Sequence, residues 1–303
     1  GSSNELGEVE SGVSAGLLFD GTASDAASAG LVADPGALHS PFISLGFNLG
    51  STARDSWGGA YAWSLADGAA LTVAGYGTSV ADRPGEWSAQ SASLYPAVSK
   101  SATMGAAARL TLGRPGAALG LEVGAVQEDG TLLGAASDGA FRLADGAVTG
   151  FVGVSADLAL GGGWSLFAGA DAGWTRGRAA SNSLVSDVGT LLATAFRLGA
   201  TKADLWTEGD QAAFTVSQPL RVSSGAVSLS IPVGRNLDGS LTTYALTGDA
   251  GADGREIDAQ VGYALPLGDG ADATLSALAR FQPDNVASAG PEGVAMARWR
   301  LRF

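Results

Sequence analysis

The last eleven residues, 293–303, read GVAMARWRLRF, and apolar and cationic side chains alternate along them. In steps of two, the apolar set is Ala295, Ala297, Trp299, Leu301 and Phe303. The other set contains three arginines and consists of Val294, Met296, Arg298, Arg300 and Arg302. Successive side chains of a strand point to opposite faces, so this segment is predicted to be a strand with one apolar and one cationic face. A barrel in a lipid bilayer offers hydrocarbon to one face and a hydrated lumen to the other, whereas a soluble sandwich would leave the arginines of its final strand in water.

The composition favours a sheet that meets lipid. Only 16% of the 303 residues are charged, against about 25% in typical soluble proteins. Glycine accounts for 46 residues, about twice its usual share. Few charges and many small residues suit strands that face hydrocarbon on one side and pack closely in a narrow lumen. No run of apolar residues is long enough for a transmembrane helix.

Charge and cysteine content exclude several classes of function. The formal net charge of −13 argues against nucleic-acid binding, because phosphate contacts need clustered lysine and arginine. The absence of cysteine excludes a disulfide framework and thiolate metal sites. No secretory leader precedes Asn4, and Gly1-Ser2-Ser3 has the character of a cloning remnant, so any native leader is expected to have been removed.

The segment 164–174 carries the most quantitative signal. Trp164 and Trp174 fall on one face, and only leucine and alanine lie between them on that face. Ten residues of strand span about 33 Å, which a tilt near 40° projects to a height of about 25 Å. This height matches the apolar band of an outer-membrane barrel with an aromatic girdle at each rim.

The alternation recurs from Ser56 to the C-terminus. It predicts an all-β fold, specifically a closed antiparallel transmembrane β-barrel of about 12 strands in residues 56–303. Residues 1–55 are predicted to be a linker or plug segment, partly helical within the pore. Short turns should alternate with long loops, but this order fails between Trp174 and Asp210, where either a strand is missed or residues 184–200 are partly helical.

Two sets of side chains are assigned to the two faces. The lumen-lining set is charged and consists of Arg298, Arg300, Arg302, Arg280, Asp272, Glu256, Asp258, Glu122 and Arg109. The lipid-facing girdle is aromatic and consists of Trp164, Trp174, Tyr263, Phe281 and Trp299. The three C-terminal arginines either form a cationic stripe that keeps the lumen hydrated or grips an acidic segment threaded through it, or they pair with the carboxylates of Glu256, Asp258 and Asp272 and fill the pore. A lumenal position is required, since arginine on the lipid face costs about 2–4 kcal/mol at the midplane.

No catalytic centre, metal site or cofactor is predicted. His39 is the only histidine, so a histidine-centred triad would need it as base, and no nucleophile context accompanies it. Metal sites built on several histidines or cysteines are excluded by count. The acidic residues between Asp249 and Asp258 lack the spacing of an EF-hand, which favours a solvated loop over a calcium site. The chain is therefore not expected to be an enzyme.

Several segments resemble a known family. They are Thr131-Leu132-Leu133-Gly134, Asp138-Gly139-Ala140-Phe141, Val216-Ser217-Gln218-Pro219-Leu220-Arg221-Val222 and Gly254-Arg255-Glu256-Ile257-Asp258. They are similar to the C-terminal translocator barrel of subtilisin-like (S8) autotransporters, from about residue 100 to the end. The terminal Phe303 also resembles the final residue of Gram-negative outer-membrane barrels, where it is part of the signal read by the barrel-assembly machinery.

The resemblance implies a barrel of twelve strands, a linker helix in its pore and a secreted passenger before it. The chain is then expected to anchor and help export an N-terminal passenger across the outer membrane of a Gram-negative bacterium (type V secretion). Its expected partners are outer-membrane lipid and lipopolysaccharide, the barrel-assembly machinery and the covalently linked passenger, and a monomer is expected. No subtilase motif such as Gly-Thr-Ser-Met occurs, so protease activity is not carried over. The alternatives are a passive porin-like channel, an outer-membrane protease or lipase, and a soluble all-β secreted or adhesin domain.

Overall fold

The computed structural model describes residues 38, 40–44, 54–80, 101–136, 139–181, 183–268 and 271–301. These residues form an all-β structure that contains short 3₁₀ turns but no α-helix. In chain order, the strands are β1 (Arg54–Ala66), β2 (Ala69–Val80), β3 (Ser101–Arg114), β4 (Ala117–Asp129), β5 (Thr131–Leu132), β6 (Ala135–Ala136), β7 (Gly146–Gly161), β8 (Trp164–Arg178), β9 (Val185–Val188), β10 (Thr190–Ala203), β11 (Gln211–Ser224), β12 (Ala226–Arg235), β13 (Leu241–Asp249), β14 (Ile257–Pro266), β15 (Ala271–Phe281) and β16 (Glu292–Leu301).

Eleven strands form one meandering sheet in the order β1-β2-β3-β4-β7-β8-β10-β11-β14-β15-β16. Every neighbouring pair is antiparallel. The predicted closed barrel of about 12 strands is not what these residues form, because the sheet is open and has β1 and β16 at its edges. The reason is geometric: in an antiparallel meander the first and eleventh strands run in the same direction, so these two cannot form an antiparallel pair.

The connections between consecutive strands of the sheet differ in length at its two ends. Short connections lie at one end, at residues 67–68, 115–116, 162–163, 204–210 and 267–270. At the other end of the sheet, longer stretches of sequence separate consecutive strands, namely residues 81–100, 130–145, 179–189, 225–256 and 282–291. The short turns rely on glycine where the backbone needs a positive φ, as at Gly68 with a φ of 77°. The order therefore holds throughout. Of the two alternatives for residues 184–200, the partly helical segment is wrong, because these residues form β9 and most of β10.

The two faces of the sheet differ as the alternation predicts. On β7, Val152 and Val154 are exposed, whereas Thr149, Phe151 and Ser155 are buried. Similar apolar side chains are exposed along the same face of most of the other sheet strands. We call this the outer face, and we call the face that carries the buried side chains the inner face.

The core lies on the inner face and includes a segment from before β1. Residues Pro41–Ser44 form a 3₁₀ turn that contacts both β3 and β11, the third and eighth strands of the sheet. The sheet thus curves around this turn. Leu38, Phe42 and Ile43 are buried there in one apolar cluster. Part of the predicted linker or plug segment therefore packs on the inner face as a 3₁₀ turn, while its expected helical part lies outside the described residues. The sheet begins at Arg54, two residues before the predicted boundary.

A second apolar cluster lies among the long connections. The hairpin β12–β13 pairs with β9 to form a three-stranded sheet, and β5 pairs with β6. Side chains from these ribbons pack together, among them Leu132, Val185 and Val188. Glu128 fixes the β5–β6 ribbon, because its buried carboxylate accepts hydrogen bonds from the Thr131 hydroxyl at 2.9 Å and from two backbone N–H groups.

Candidate functional site: the polar inner face

A buried ion pair lies near the middle of the inner face. Strand register places Arg109 of β3 directly opposite Glu122 of β4. Their side chains are 2% and 3% exposed, and the guanidinium nitrogen lies 3.6 Å from the carboxylate oxygen. Arg109 Nη2 also donates a hydrogen bond of 2.6 Å to Ser155 Oγ on β7. Both charged residues were predicted to line the lumen, and the structure brings them together on the inner face.

Asp171 of β8 and Arg197 of β10 extend this group. The two residues belong to neighbouring strands and share a lining with Arg109, Glu122 and Ser155. The space among these side chains is only about 10 Å³, which is room for at most one water molecule. The charged side chains of this group therefore pack directly against one another. The sequence analysis missed Arg197 because it lies in the segment 184–200. Its place on one face with Ala195 and Gly199, two residues away on either side, was nevertheless a usable strand signal.

The segment before β1 is seated on this charged group. The Ser40 backbone N–H donates a hydrogen bond of 3.3 Å to Glu122 Oε1. Two residues on, Phe42 is 0% exposed and its ring stacks on Phe151 with the centroids 5.4 Å apart. Gly173 of β8 leaves the room for this ring, since a Cβ atom there would lie 2.5 Å from Phe42 Cε1. Polar and apolar contacts thus fix the same short segment.

A second charged group lies beside the long connections. Arg280 is surrounded by carboxylates, with Glu256 at 2.7 Å, Asp284 at 3.1 Å, Glu292 at 3.3 Å and Asp258 at 4.0 Å. The predicted residues Arg280, Glu256 and Asp258 are therefore brought together. The carboxylate of Glu256 is buried and also accepts the Asp284 backbone N–H at 2.6 Å.

In one of the two predicted alternatives the C-terminal arginines pair with three carboxylates, and two of these, Glu256 and Asp258, are engaged by Arg280. Arg280 stands opposite Asp258 in the strand register and engages both carboxylates. The pairing holds for Arg300, which stands opposite Asp272 with Nε 3.9 Å from the carboxylate oxygen. Arg298 is half-buried and lies two residues before Arg300, opposite Thr274. Arg302 and Phe303 lie outside the described residues.

The predicted aromatic girdle lies on the outer face. Trp164, Trp174, Phe281 and Trp299 are all exposed. Trp164 and Trp299 lie near the short connections, and Trp174 and Phe281 lie near the long connections. Tyr263 also belongs to the outer face, but its hydroxyl donates a hydrogen bond of 2.6 Å to Asp210.

The connection 204–210 contains an aromatic residue that the sequence analysis missed. Trp206 is 75% exposed, and its ring meets that of Tyr263 edge to face at a centroid distance of 4.8 Å. Asp210 holds the connection together by accepting the backbone N–H groups of Leu205, Trp206 and Thr207. Desolvation alone would raise the pKa of Asp210, but the hydrogen bonds from the Tyr263 hydroxyl and these N–H groups hold that pKa well below its usual range.

No family model, curated protein or solved structure matches this chain. Within the described part of the chain, no helix has the length and apolar character needed to cross a membrane.

Proposed function

We propose that this chain is the outer-membrane translocator of an autotransporter, which anchors a passenger joined to its N-terminus and assists its export. The observation that carries the proposal is the division between the two faces. The outer face exposes apolar side chains along strand after strand, while the inner face holds buried charges and the segment that leads toward the N-terminus.

The outer face supports a membrane location. Contiguous exposed apolar patches on soluble monomers rarely exceed a few hundred square ångströms. Here, exposed valine, leucine and aromatic side chains extend over β1, β3, β4, β7 and β8 and reappear on β11, β14 and β15. Such a face is stable in hydrocarbon, where backbone groups must also be paired. The soluble secreted or adhesin alternative would leave this face in water.

Closure of the sheet is part of the proposal. A ring that is antiparallel throughout needs an even number of strands. The closed form therefore takes one strand in addition to the eleven of the sheet, which agrees with the predicted count of about 12. This strand would run antiparallel to both β1 and β16, and it would pair the backbone groups of both edges.

The inner face supports a role with a polypeptide. The charged group and the apolar cluster hold residues 40–43 of the chain itself, a segment that precedes β1 in the sequence. A passive porin-like channel needs an open lumen, whereas here a segment of the chain packs across the inner face. The barrel does no bond chemistry in this proposal. It works as a monomer with the barrel-assembly machinery, in an outer membrane of lipid and lipopolysaccharide.

Membrane embedding is tested with single cysteines, which report without background because the chain has none. Val154→Cys lies mid-strand on the outer face, where the native side chain is 56% exposed. Leu237→Cys lies at the exposed tip of the β12–β13 hairpin and serves as the control. In lipid nanodiscs, a water-soluble maleimide should label Leu237→Cys quickly and Val154→Cys only after unfolding in urea. Equal labelling rates in the folded state would refute the membrane location.

Export is tested in cells. A small folded reporter fused before Gly1 should become accessible to added protease at the cell surface, and heat-modifiable migration should confirm that the barrel is folded. If the barrel is folded and the reporter stays inside the cell, the translocator role fails even though the membrane location stands.

A further inference from the structure

The second apolar cluster, among the long connections, encloses a cavity of about 550 Å³. Its walls are aliphatic side chains from the β5–β6 ribbon, from the adjoining ends of β10 and β11, and from the β12–β13 hairpin, among them Leu132, Leu191, Val222 and Leu229. Small-molecule sites in proteins have volumes of about 300–1,000 Å³ and are lined mostly by apolar side chains. This cavity therefore has the size and the lining of a ligand site, whereas the space inside the charged group of the inner face is only about 10 Å³.

Strand pairing fixes the wall that the β12–β13 hairpin provides. In β12, Val227 and Leu229 pair with β9 on one side. On the other side they stand opposite Gly248 and Leu246 of β13, respectively. All four of these residues line the cavity. A Cβ atom at Gly248 would meet nothing within 4 Å, so this glycine leaves open space beside Val227.

The turn between β5 and β6 provides a second fixed wall. Leu133 has a φ of 51° and Gly134 a φ of 77°. A positive φ is uncommon for a residue with a side chain, and it persists only where the surrounding structure enforces it. Here the buried Glu128 carboxylate accepts the backbone N–H groups of Leu133 at 2.9 Å and Gly134 at 2.6 Å. Leucine is unfavourable for the backbone at this position, but it adds an apolar side chain to the cavity wall.

One charged group selects the chemistry of the ligand. Of the described residues that line the cavity, Asp249 alone is ionisable. Its Oδ1 accepts the Gly251 backbone N–H at 2.8 Å, which fixes the carboxylate and leaves acceptor capacity on both oxygens. None of the ion pairs formed within the described part of the chain involves Asp249. Because Asp249 is exposed, its charge lies where the cavity meets water, and there it attracts a cation and repels carboxylates and phosphates.

We propose that this cavity binds an organic cation that combines a compact apolar body with one protonated amine. The apolar body fills the space bordered by Leu132, Val222 and Leu229, where it gains dispersion contacts with aliphatic carbon on several sides. The ammonium group pairs with Asp249 at the mouth of the cavity. A neutral ligand of the same shape loses the ion pair, and an anionic ligand places like charge beside like charge. This site goes beyond the translocator role, because it needs neither lipid contact nor export.

The test compares three probes that share one rigid apolar cage and differ in charge: aminoadamantane, adamantanol and adamantanecarboxylate. Binding to the protein in lipid nanodiscs is measured by isothermal titration calorimetry, with empty nanodiscs as the blank. Near neutral pH the amine is protonated and the carboxylate is ionised. The amine should bind at a single site and about two- to fivefold more tightly than the alcohol, the range expected for one solvent-exposed ion pair. The carboxylate should bind more weakly than the alcohol.

Two variants test the two parts of the site, and each has a matched control. Asp249→Asn keeps an acceptor for the Gly251 N–H but removes the charge, so it should abolish the preference for the amine over the alcohol. Asp187→Asn removes an exposed carboxylate of β9 that does not line the cavity, and it should leave the preference unchanged. Gly248→Phe should place a ring in the cavity and abolish saturable binding of all three probes. Gly150→Phe, on the outer face of β7 where an added Cβ atom also meets nothing within 4 Å, should not.

The outcomes decide both the place of the site and its charge preference. Far-UV circular dichroism first checks that each variant keeps the strand content of the parent. The proposal is overturned if the three probes bind alike, if the carboxylate binds most tightly, or if the folded protein shows no saturable binding of the amine. Unchanged binding of the amine to Gly248→Phe would also overturn it, because the probe would then lie elsewhere. None of these outcomes bears on the display of a passenger, so a failure of this site leaves the translocator role to its own tests.

Discussion

Substituting Gly173 by leucine should expel the segment before β1 from the inner face. A Cβ atom at this position would already lie 2.5 Å from Phe42 Cε1, closer than real Cβ contacts, and the rest of the leucine would need the volume of the ring. Gly173 lies within β8, paired on both sides, so the strand backbone cannot move away easily. The Phe42 ring is the group that must give way.

The magnitude follows from the burial of Phe42. This side chain is completely buried against Phe151 and the rest of its apolar cluster. Removing a buried phenylalanine from such a site costs about 3–5 kcal/mol. Because each 1.4 kcal/mol is a factor of ten in an equilibrium constant, the equilibrium constant for docking of the segment should fall by at least about a hundredfold.

The assay is cysteine accessibility at Ser40, in a chain that has no other cysteine. Ser40→Cys should be protected in the parent, where Ser40 is buried, and should react rapidly when Gly173→Leu is added. Gly150→Leu on the neighbouring strand β7 is the matched control, because a Cβ atom there meets nothing within 4 Å. The reasoning is refuted if Ser40→Cys stays equally protected in the Gly173→Leu background while the protein is folded.

Four further tests address the two faces and one connection. Val154→Lys should destabilise the protein by about 2–4 kcal/mol in a bilayer, measured by urea unfolding, because it places a charge at mid-strand on the outer face; a cost near zero would contradict lipid contact. Glu122→Gln should cost about 3–5 kcal/mol in the same assay, because it replaces a charged partner of the buried Arg109 guanidinium by a neutral amide. The double change Arg109→Met with Glu122→Leu should cost less than the sum of the single changes, and strict additivity would mean that the pair is not coupled. Asp210, with its lowered pKa, should stabilise the connection fully above the unfolded pKa of about 3.9. This contribution should be lost as pH falls below that value, seen as a change in Trp206 emission that Asp210→Asn abolishes.

Strand content and the character of the two faces could be predicted from alternation alone. Trp164 and Trp174 were assigned to one face, and Arg109 and Glu122 were assigned to the other. In the structure the two tryptophans are exposed on the outer face, and Arg109 and Glu122 are buried on the inner face. The failure at residues 184–200 has a local cause: in this stretch, apolar residues occupy both faces, as Leu191 and Leu192 show. A period of two is weak when both sides of a strand are apolar, so the segment resembled a helix.

The candidate site was harder to predict, because it depends on groups that meet across the sheet. Nothing near Gly173 in the sequence indicates that an aromatic ring from residue 42 needs its space. The exposure of Trp206 depends on the hydrogen bonds that Asp210 makes four residues later and on Tyr263 of another strand. The contact of Asp258 with Arg280 was decided by the register of β14 and β15, in which these two residues stand opposite one another.

By itself, the sequence determined that this chain would form antiparallel strands with one apolar and one polar face, because side chains of a strand alternate and the turn glycines set where it reverses. The tertiary structure alone decided that eleven strands share one sheet, that its first and last strands run in the same direction, and that residues 40–43 pack on its inner face. The physical reason is the sequence separation of the interacting residues. Alternation is a property of neighbouring residues, whereas strand register, strand count and the position of Phe42 depend on contacts between residues far apart in the chain.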